Sequence, residues 1–113
     1  MECIFCKIIN GELNSEIVFD NENIIGFNDI NPVAPTHVLF VPRKHIEKVD
    51  DFETEDLALI GELIYRAKEY AKKIGLNSSG YRLVFNNGKD AGQAVFHIHL
   101  HLIGGRIMSW PPG

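Results

Sequence analysis

Three histidines stand two residues apart near the end of the chain, at His97, His99 and His101, with aliphatic residues between them. Side chains of an extended strand alternate between its faces, so a strand here would carry all three imidazoles on one face. At about 3.3 Å per residue the outer two would lie roughly 13 Å apart, too far for one metal ion to bind all three. Imidazole titrates near neutrality, so the row suits proton transfer, nucleophilic attack or anion binding.

A glycine-bearing loop precedes this histidine row. It runs from Asn86 to Ala94 and contains Gly88 and Gly92. Glycine permits backbone conformations in which several amide groups point at one anion. Such a turn alone is weak evidence for a phosphate site, but this one leads into the histidines. Together the two features indicate phosphoryl or nucleotidyl transfer.

The strands that must position these groups follow from runs of apolar residues. Two short runs separated by Asn21 and Glu22 are typical of a β-hairpin, and three further runs predict strands. The five predicted strands are 16–20, 23–27, 37–41, 81–85 and 97–103. Pro42 is expected to end the third strand because it has no amide donor for a sheet.

One long helix and one short helix are also expected. The short helix covers residues 3–10. The long helix begins with a cap at Thr54 or Asp51 and stops at Gly75. Its predicted buried face consists of Leu57, Ile60, Leu63, Ile64, Ala67, Tyr70, Ala71 and Ile74. Five strands with few parallel crossovers predict an α+β fold with a five-stranded, mostly antiparallel sheet.

Length and composition narrow the class of protein. The 113 residues are 45% hydrophobic and 23% charged, as expected for one globular domain over residues 1–113. The net charge of −4 argues against broad nucleic-acid binding, which needs a basic face. No apolar run approaches the roughly 20 residues of a membrane span, and no signal-peptide pattern is seen. We therefore expect no membrane association and a cytoplasmic location.

The two cysteines, Cys3 and Cys6, form a C-x-x-C motif. They are too close in sequence to close a long loop, and a cytosolic setting disfavours a disulfide. Two cysteines supply at most half of a zinc site, so histidines would have to supply the other ligands. Two free thiols or a redox pair are the alternatives.

The sequence resembles the histidine-triad (HIT) family. Its segments Gly104–Arg106 and Trp110–Gly113 resemble the Hint branch of that family in particular. The resemblance covers nearly the whole chain. The motifs that carry it are His97–Ile103, Asp29, Pro35–His37, Pro42–Ile46, Asn86, Gly92–Gln93, Gly104–Arg106 and Trp110–Gly113.

The resemblance implies a nucleotide hydrolase or transferase that works through a covalent nucleotidyl-histidine intermediate. His99 would attack the α-phosphorus of a purine nucleoside 5′-phosphoramidate or an aminoacyl-adenylate, His101 would contact the phosphate and leaving group, and His37 would complete the cluster. The other residues it implies for nucleotide binding are Asp29, Asn86, Gly92, Gln93, Ala94, Val95, Ile4, Phe5, Ile8, Phe27 and Ile30. Of these, Asp29 would accept the ribose hydroxyls and the apolar residues would wall the purine.

For the metal, the resemblance implies a structural zinc held by Cys3, Cys6, His45 and His97, with no open position for substrate. It also implies a homodimer, joined through the long helix and a strand so that two sheets become one. Trp110 would then approach the partner's site; the alternative is an ordinary tail anchor.

Position 94 departs from the family pattern, because many Hint proteins carry Ser where this chain has Ala94. A hydroxyl donor near the leaving group is therefore missing, and we expect slower expulsion of the leaving group. Two other functions remain open at this point. One is a Fhit-like hydrolase of dinucleoside polyphosphates, which uses the same triad. The other is a non-catalytic nucleotide-binding or scaffold protein.

Overall fold

The fold is one five-stranded sheet with a helix against each face. The computed structural model describes residues 3–113. The strands are β1 (Ile17–Asp20), β2 (Ile24–Asn28), β3 (Thr36–Pro42), β4 (Tyr81–Val84) and β5 (Leu100–Gly104). They lie in the order β1-β2-β3-β5-β4, and every neighbouring pair is antiparallel. The predicted α+β fold with a five-stranded antiparallel sheet is confirmed.

Both predicted helices are present, as α1 (Ile4–Ile9) and α2 (Leu57–Lys73). A 3₁₀ turn at Thr54–Asp56 leads into α2. The cap lies at Asp56, whose carboxylate accepts the Glu53 amide at 3.0 Å, and not at Thr54 or Asp51 as predicted. The predicted stop is confirmed, since Gly75 has a φ of +86° directly after the helix. No helix within residues 3–113 is long and apolar enough to cross a bilayer.

The residues of β3 alternate between two cores, one on each face of the sheet. Val38 and Phe40 belong to a core on the α2 face, whereas Leu39 and Val41 belong to a second core on the α1 face. The central strands are thus buried on both faces. In the register of β3 with β5, Leu39 lies opposite His101.

The predicted buried face of α2 is only partly correct. Leu63, Ala67 and Ala71 are fully buried against the sheet. Leu57, Ile64 and Ile74, however, are 66%, 42% and 41% exposed. The apolar stripe of the helix is wider than the strip of sheet that it covers, so one side of the stripe faces outward.

The histidine strand is shorter than predicted. β5 begins at Leu100, so His97 and His99 precede it. Regular pairing stops near Pro42, which has no amide to donate, and the Ile98 amide donates instead to the Ile46 carbonyl at 2.6 Å.

Candidate active site and metal cluster

A cavity of about 490 Å³ opens on the α1 face of the sheet. This volume is in the usual range for a small-molecule site. Twelve residues expected at the nucleotide site line it: Ile4, Phe5, Ile8, Phe27, Asp29, Ile30, Asn86, Gly92, Ala94, Val95, His99 and His101. The two other expected site residues, His37 and Gln93, do not line the cavity. They hydrogen-bond to His101 and to Val95, which do.

Sequence reasoning missed six further lining residues: Leu13, Asn14, Ser15, Asn28, Asn31 and Leu39. Leu39 could have been found from strand alternation, because it shares a face with His37. Residues 13–15 carry no such signal, since they belong to an irregular segment between α1 and β1.

His99 is held in one tautomer by the main chain. Its Nδ1 lies 2.8 Å from the carbonyl oxygen of His97. A carbonyl only accepts hydrogen bonds, so Nδ1 carries the proton and the neutral ring keeps its lone pair on Nε2. The ring packs edge-on against Phe5 with centroids 5.0 Å apart, and the residue is 8% exposed. His99 therefore contributes a ring with an unprotonated Nε2 to the wall of the cavity.

A hydrogen-bond chain fixes the opposite tautomer in His101. The Val33 amide donates to Nδ1 of His37 at 3.2 Å, so His37 carries its proton on Nε2. That Nε2 lies 2.9 Å from Nδ1 of His101 and 3.5 Å from a carboxylate oxygen of Asp29. His101 accepts this proton on Nδ1 and keeps its own on Nε2. The Nε2 atom is buried without a partner within the described residues, so it is available to donate to a ligand.

Burial keeps these imidazoles uncharged. Loss of solvent lowers the pKa of His99 and His37 below the usual 6.5. For His101, burial and then the neighbouring imidazoles of His99 and His37 lower the pKa to about 4. At pH 7 the site therefore holds neutral rings, which is the form in which an imidazole can act as a nucleophile.

The loop before the histidines has the glycine conformations that its sequence predicts. Gly88 and Gly92 have φ of +85° and +83°. The Gln93 side chain points inward: it accepts the Gly88 amide at 2.8 Å and donates to the carbonyls of Glu47 and Val95. Gln93 thus braces the loop instead of lining the cavity.

Only part of the loop backbone is free to bind an anion. The amides of Gly92 and Gln93 donate to the carbonyls of Lys89 and Gly88. The amides of Ala94 and Val95, at the cavity wall, have no acceptor within residues 3–113. The donors available to an anion at the cavity wall therefore include these two amides, the side chain of Asn86 and the Nε2 proton of His101.

A second cluster joins the two cysteines to two other histidines. Cys3 Sγ, Cys6 Sγ, His45 Nδ1 and His97 Nδ1 all lie within 4.8 Å of one another. The measured separations run from 3.1 Å between the two nitrogens to 3.6 Å between Cys6 and His97. Ligands at about 2.3 Å for sulfur and 2.0–2.1 Å for nitrogen around a tetrahedral zinc would be roughly 3.3–3.8 Å apart. The donor set and the geometry fit a structural zinc ion.

The protonation of His97 suits a ligand role. Its Nε2 donates to the Pro42 carbonyl at 2.8 Å, which leaves the Nδ1 lone pair facing the sulfurs. Burial lowers the pKa of His97 to about 4, so the ring is neutral. Burial, followed by the hydrogen bond with Cys3, raises the pKa of the Cys6 thiol to about 11. A cation is therefore needed to hold Cys6 as a thiolate at neutral pH.

Several solved structures of histidine-triad proteins have this fold. A HIT family hydrolase from Legionella pneumophila is 51% identical, with a TM-score of 0.97 over 99% of this chain and 100% of that one. A histidine triad nucleotide-binding protein from Candida albicans is 33% identical, with a TM-score of 0.82 over 97% and 83%. A zinc-bound histidine triad family protein from Mycobacterium smegmatis is 35% identical, with a TM-score of 0.81 over 94% and 76%.

Sequence comparison agrees with the structural similarity. A 14 kDa zinc-binding protein of Zea mays is 46% identical over 112 residues, which cover 97% of this chain and 87% of the maize protein. The family model of the HIT domain matches residues 10–108. The chain therefore belongs to the histidine-triad family.

Proposed function

We propose that this protein hydrolyses purine nucleoside 5′-phosphoramidates or aminoacyl-adenylates through a covalent nucleotidyl-His99 intermediate. The observation that carries the proposal is the hydrogen bond from His99 Nδ1 to the His97 carbonyl, because it leaves the Nε2 lone pair in the cavity wall. The hydrolase and nucleotide-binding relatives support the same class of reaction.

The reaction takes two displacements at phosphorus. Nε2 of His99 attacks the α-phosphorus, and the bond from phosphorus to the leaving group breaks as the new nitrogen–phosphorus bond forms. The leaving group departs with the bonding electron pair and takes the Nε2 proton of His101, while the Nε2 proton of His37 moves to Nδ1 of His101. Water then attacks the same phosphorus, and the bond from phosphorus to Nε2 of His99 breaks with its electron pair returning to the ring. The nucleoside 5′-monophosphate is released, and the proton lost by the water passes back through His101 to His37. His37 keeps His101 oriented in both steps.

The rest of the cavity matches the parts of a nucleotide. The free amides of Ala94 and Val95, with the side chain of Asn86, bind the phosphate oxygens. Asp29 accepts the ribose hydroxyls while its other oxygen holds the Asn31 amide at 2.8 Å. The purine lies among the apolar side chains of Ile4, Phe5, Ile8, Phe27 and Ile30.

Turnover of adenosine 5′-phosphoramidate, compared with a diadenosine polyphosphate, tests the activity. We expect faster hydrolysis of the phosphoramidate. The matched control is His99→Ala, which should bind AMP and lack turnover. Preference for the dinucleotide would favour the Fhit-like alternative. A wild-type protein that binds AMP but turns over neither substrate would favour the non-catalytic one.

We also assign the zinc ligands as Cys3, Cys6, His45 and His97, which the zinc-binding relatives support. With all four positions filled by protein, the ion holds α1 on the sheet and takes no part in the chemistry. Metal analysis of protein purified without a histidine tag should find about one equivalent of zinc. Less than a tenth of an equivalent would contradict the assignment.

We further propose a homodimer that joins β4 to β4 and α2 to α2. β4 is an edge strand, and α2 leaves Leu57, Ile64 and Tyr65 exposed. Unpaired strand edges and apolar patches are the features that association covers. Trp110, which is 83% exposed, is then free to reach the partner. Sedimentation should show a dimer at micromolar concentration, and Ile64→Asp a monomer; a wild-type monomer would contradict the proposal.

A further inference from the structure

The metal cluster and the cavity each take one histidine, His97 and His99 respectively, from a single segment that lies outside regular secondary structure. Between Val95 and β5 the chain has no strand pairing, so nothing in the sheet itself fixes His97 and His99. The contacts that fix them come from neighbouring segments. These contacts must therefore hold the His99 ring in one orientation.

The first link between the metal cluster and the cavity runs through His97. The imidazole of His97 belongs to the metal cluster through Nδ1, and its Nε2 is tied to the Pro42 carbonyl. The carbonyl of the same residue accepts the Nδ1 proton of His99. A ring held at both nitrogens restricts the backbone of its own residue, and that backbone carries the acceptor that sets the tautomer of His99.

The second link runs through α1. Phe5 lies between the two cysteines in sequence, and its ring contacts His99 at 5.0 Å and His97 at 6.0 Å between centroids. Phe5 also lines the cavity. A metal ion that binds Cys3 and Cys6 would therefore also keep the Phe5 ring, part of the cavity lining, packed against His99.

The third link is a backbone hydrogen bond of 2.6 Å from the Ile98 amide to the Ile46 carbonyl. It joins the residue that follows His97 to the residue that follows His45. Both histidines of the cluster are thus connected to the segment that carries His99.

We propose that His97 is a positioning residue through which zinc binding sets the tautomer of His99 and raises affinity for the nucleotide. The inference rests on the proposed function, and it adds regulation by metal occupancy to it. Energetic coupling between two sites is reciprocal, so AMP must raise the affinity for zinc by the same factor. The α2 face has no part in these links, and its core should be unaffected by the metal.

The test compares the zinc-loaded wild-type protein with the double variant Cys3→Ser, Cys6→Ser, prepared metal-free. Serine at both positions keeps the size of the side chain and removes the thiolates. Nitrogen NMR of histidine-labelled protein reports the tautomer of His99, and calorimetry reports AMP binding. We expect a single Nδ1-protonated form of His99 in the wild-type protein and mixed tautomers in the variant. AMP affinity should fall at least about fivefold.

The conservative variant Cys6→His, which offers nitrogen in place of sulfur, should retain zinc and restore both readouts. An unchanged tautomer and an unchanged AMP affinity in the metal-free variant would overturn the proposal. Loss of the amide signals of Phe40 and Leu63 would overturn it as well, because zinc would then support the whole fold instead of one face. If zinc-loaded wild-type protein failed to bind AMP, the proposed function would fail, while the NMR comparison would still decide the coupling.

Discussion

His97 and His99 are both buried and stand two residues apart, yet a different ring nitrogen of each is free to act. His97 donates from Nε2 to the Pro42 carbonyl and turns Nδ1 to the sulfurs. His99 donates from Nδ1 to the His97 carbonyl and keeps its Nε2 lone pair for the cavity. The carbonyl that accepts the proton thus selects which nitrogen is free, and so separates the proposed metal ligand from the proposed nucleophile.

Removing the nucleophile should have the largest effect. For His99→Ala we expect turnover of adenosine 5′-phosphoramidate to fall by at least about 10³-fold, because no other ring offers a lone pair on Nε2 at the cavity. Steady-state kinetics measures the loss, and calorimetry with AMP should show binding close to wild type. Substantial residual activity with normal AMP binding would show that another group attacks the phosphorus.

Removing the hydrogen bond from His37 to His101 should have the next largest effect. His37→Ala removes the donor that fixes the tautomer of His101, so the Nε2 proton of His101 is no longer guaranteed. We expect kcat to fall about 10- to 100-fold, within the range for lost acid–base assistance, with KM little changed. A variant whose KM rises while kcat is unchanged would place His37 in substrate binding instead.

Restoring a hydroxyl at the cavity wall should have a smaller effect of opposite sign. Ala94→Ser adds a donor near the leaving group, and we expect the chemical step to speed up by a few fold to about tenfold. Single-turnover kinetics measures this step directly. The matched control is Ala91→Ser, in the same loop but outside the cavity lining, which should leave the rate unchanged. An unchanged or slower step in Ala94→Ser would contradict the expectation.

The pH profile should show the smallest change. Protonation of His99 would remove its lone pair, and burial lowers the pKa of His99 below 6.5 and that of His101 to about 4. Activity lost on protonation is present above the folded-state pKa and disappears as the pH falls through it. We therefore expect kcat/KM at pH 6.5 to stay above half of its value at pH 7.5 and to fall further at lower pH. A loss of half the activity at pH 6.5 or above would contradict this.

Runs of apolar residues predicted the five strands, and side-chain alternation put His101 on the face opposite Leu100. Most of the cavity lining was expected only from the resemblance to the histidine-triad family. The free amides of Ala94 and Val95 could not be found from alternation. They emerge only because other carbonyls occupy the amides of Gly92 and Gln93, which is a property of the folded loop.

The predictions that failed share a cause. Alternation suggested a strand from His97, but pairing stops at Leu100 because Pro42 cannot donate and the chain turns toward Ile46. Helical periodicity suggested that Leu57 and Ile64 are buried, but the sheet is too narrow to cover them. Both depend on where a neighbouring element ends, and local sequence does not contain that information.

Mass spectrometry of the protein, quenched with acid-free denaturant during turnover of adenosine 5′-phosphoramidate, tests the covalent nucleotidyl-His99 intermediate itself. We expect an adenylyl adduct on the peptide that contains His99, and no adduct in His99→Ala. An adduct on another residue, or a wild-type protein that turns over substrate rapidly and never carries an adduct, would contradict the proposed intermediate.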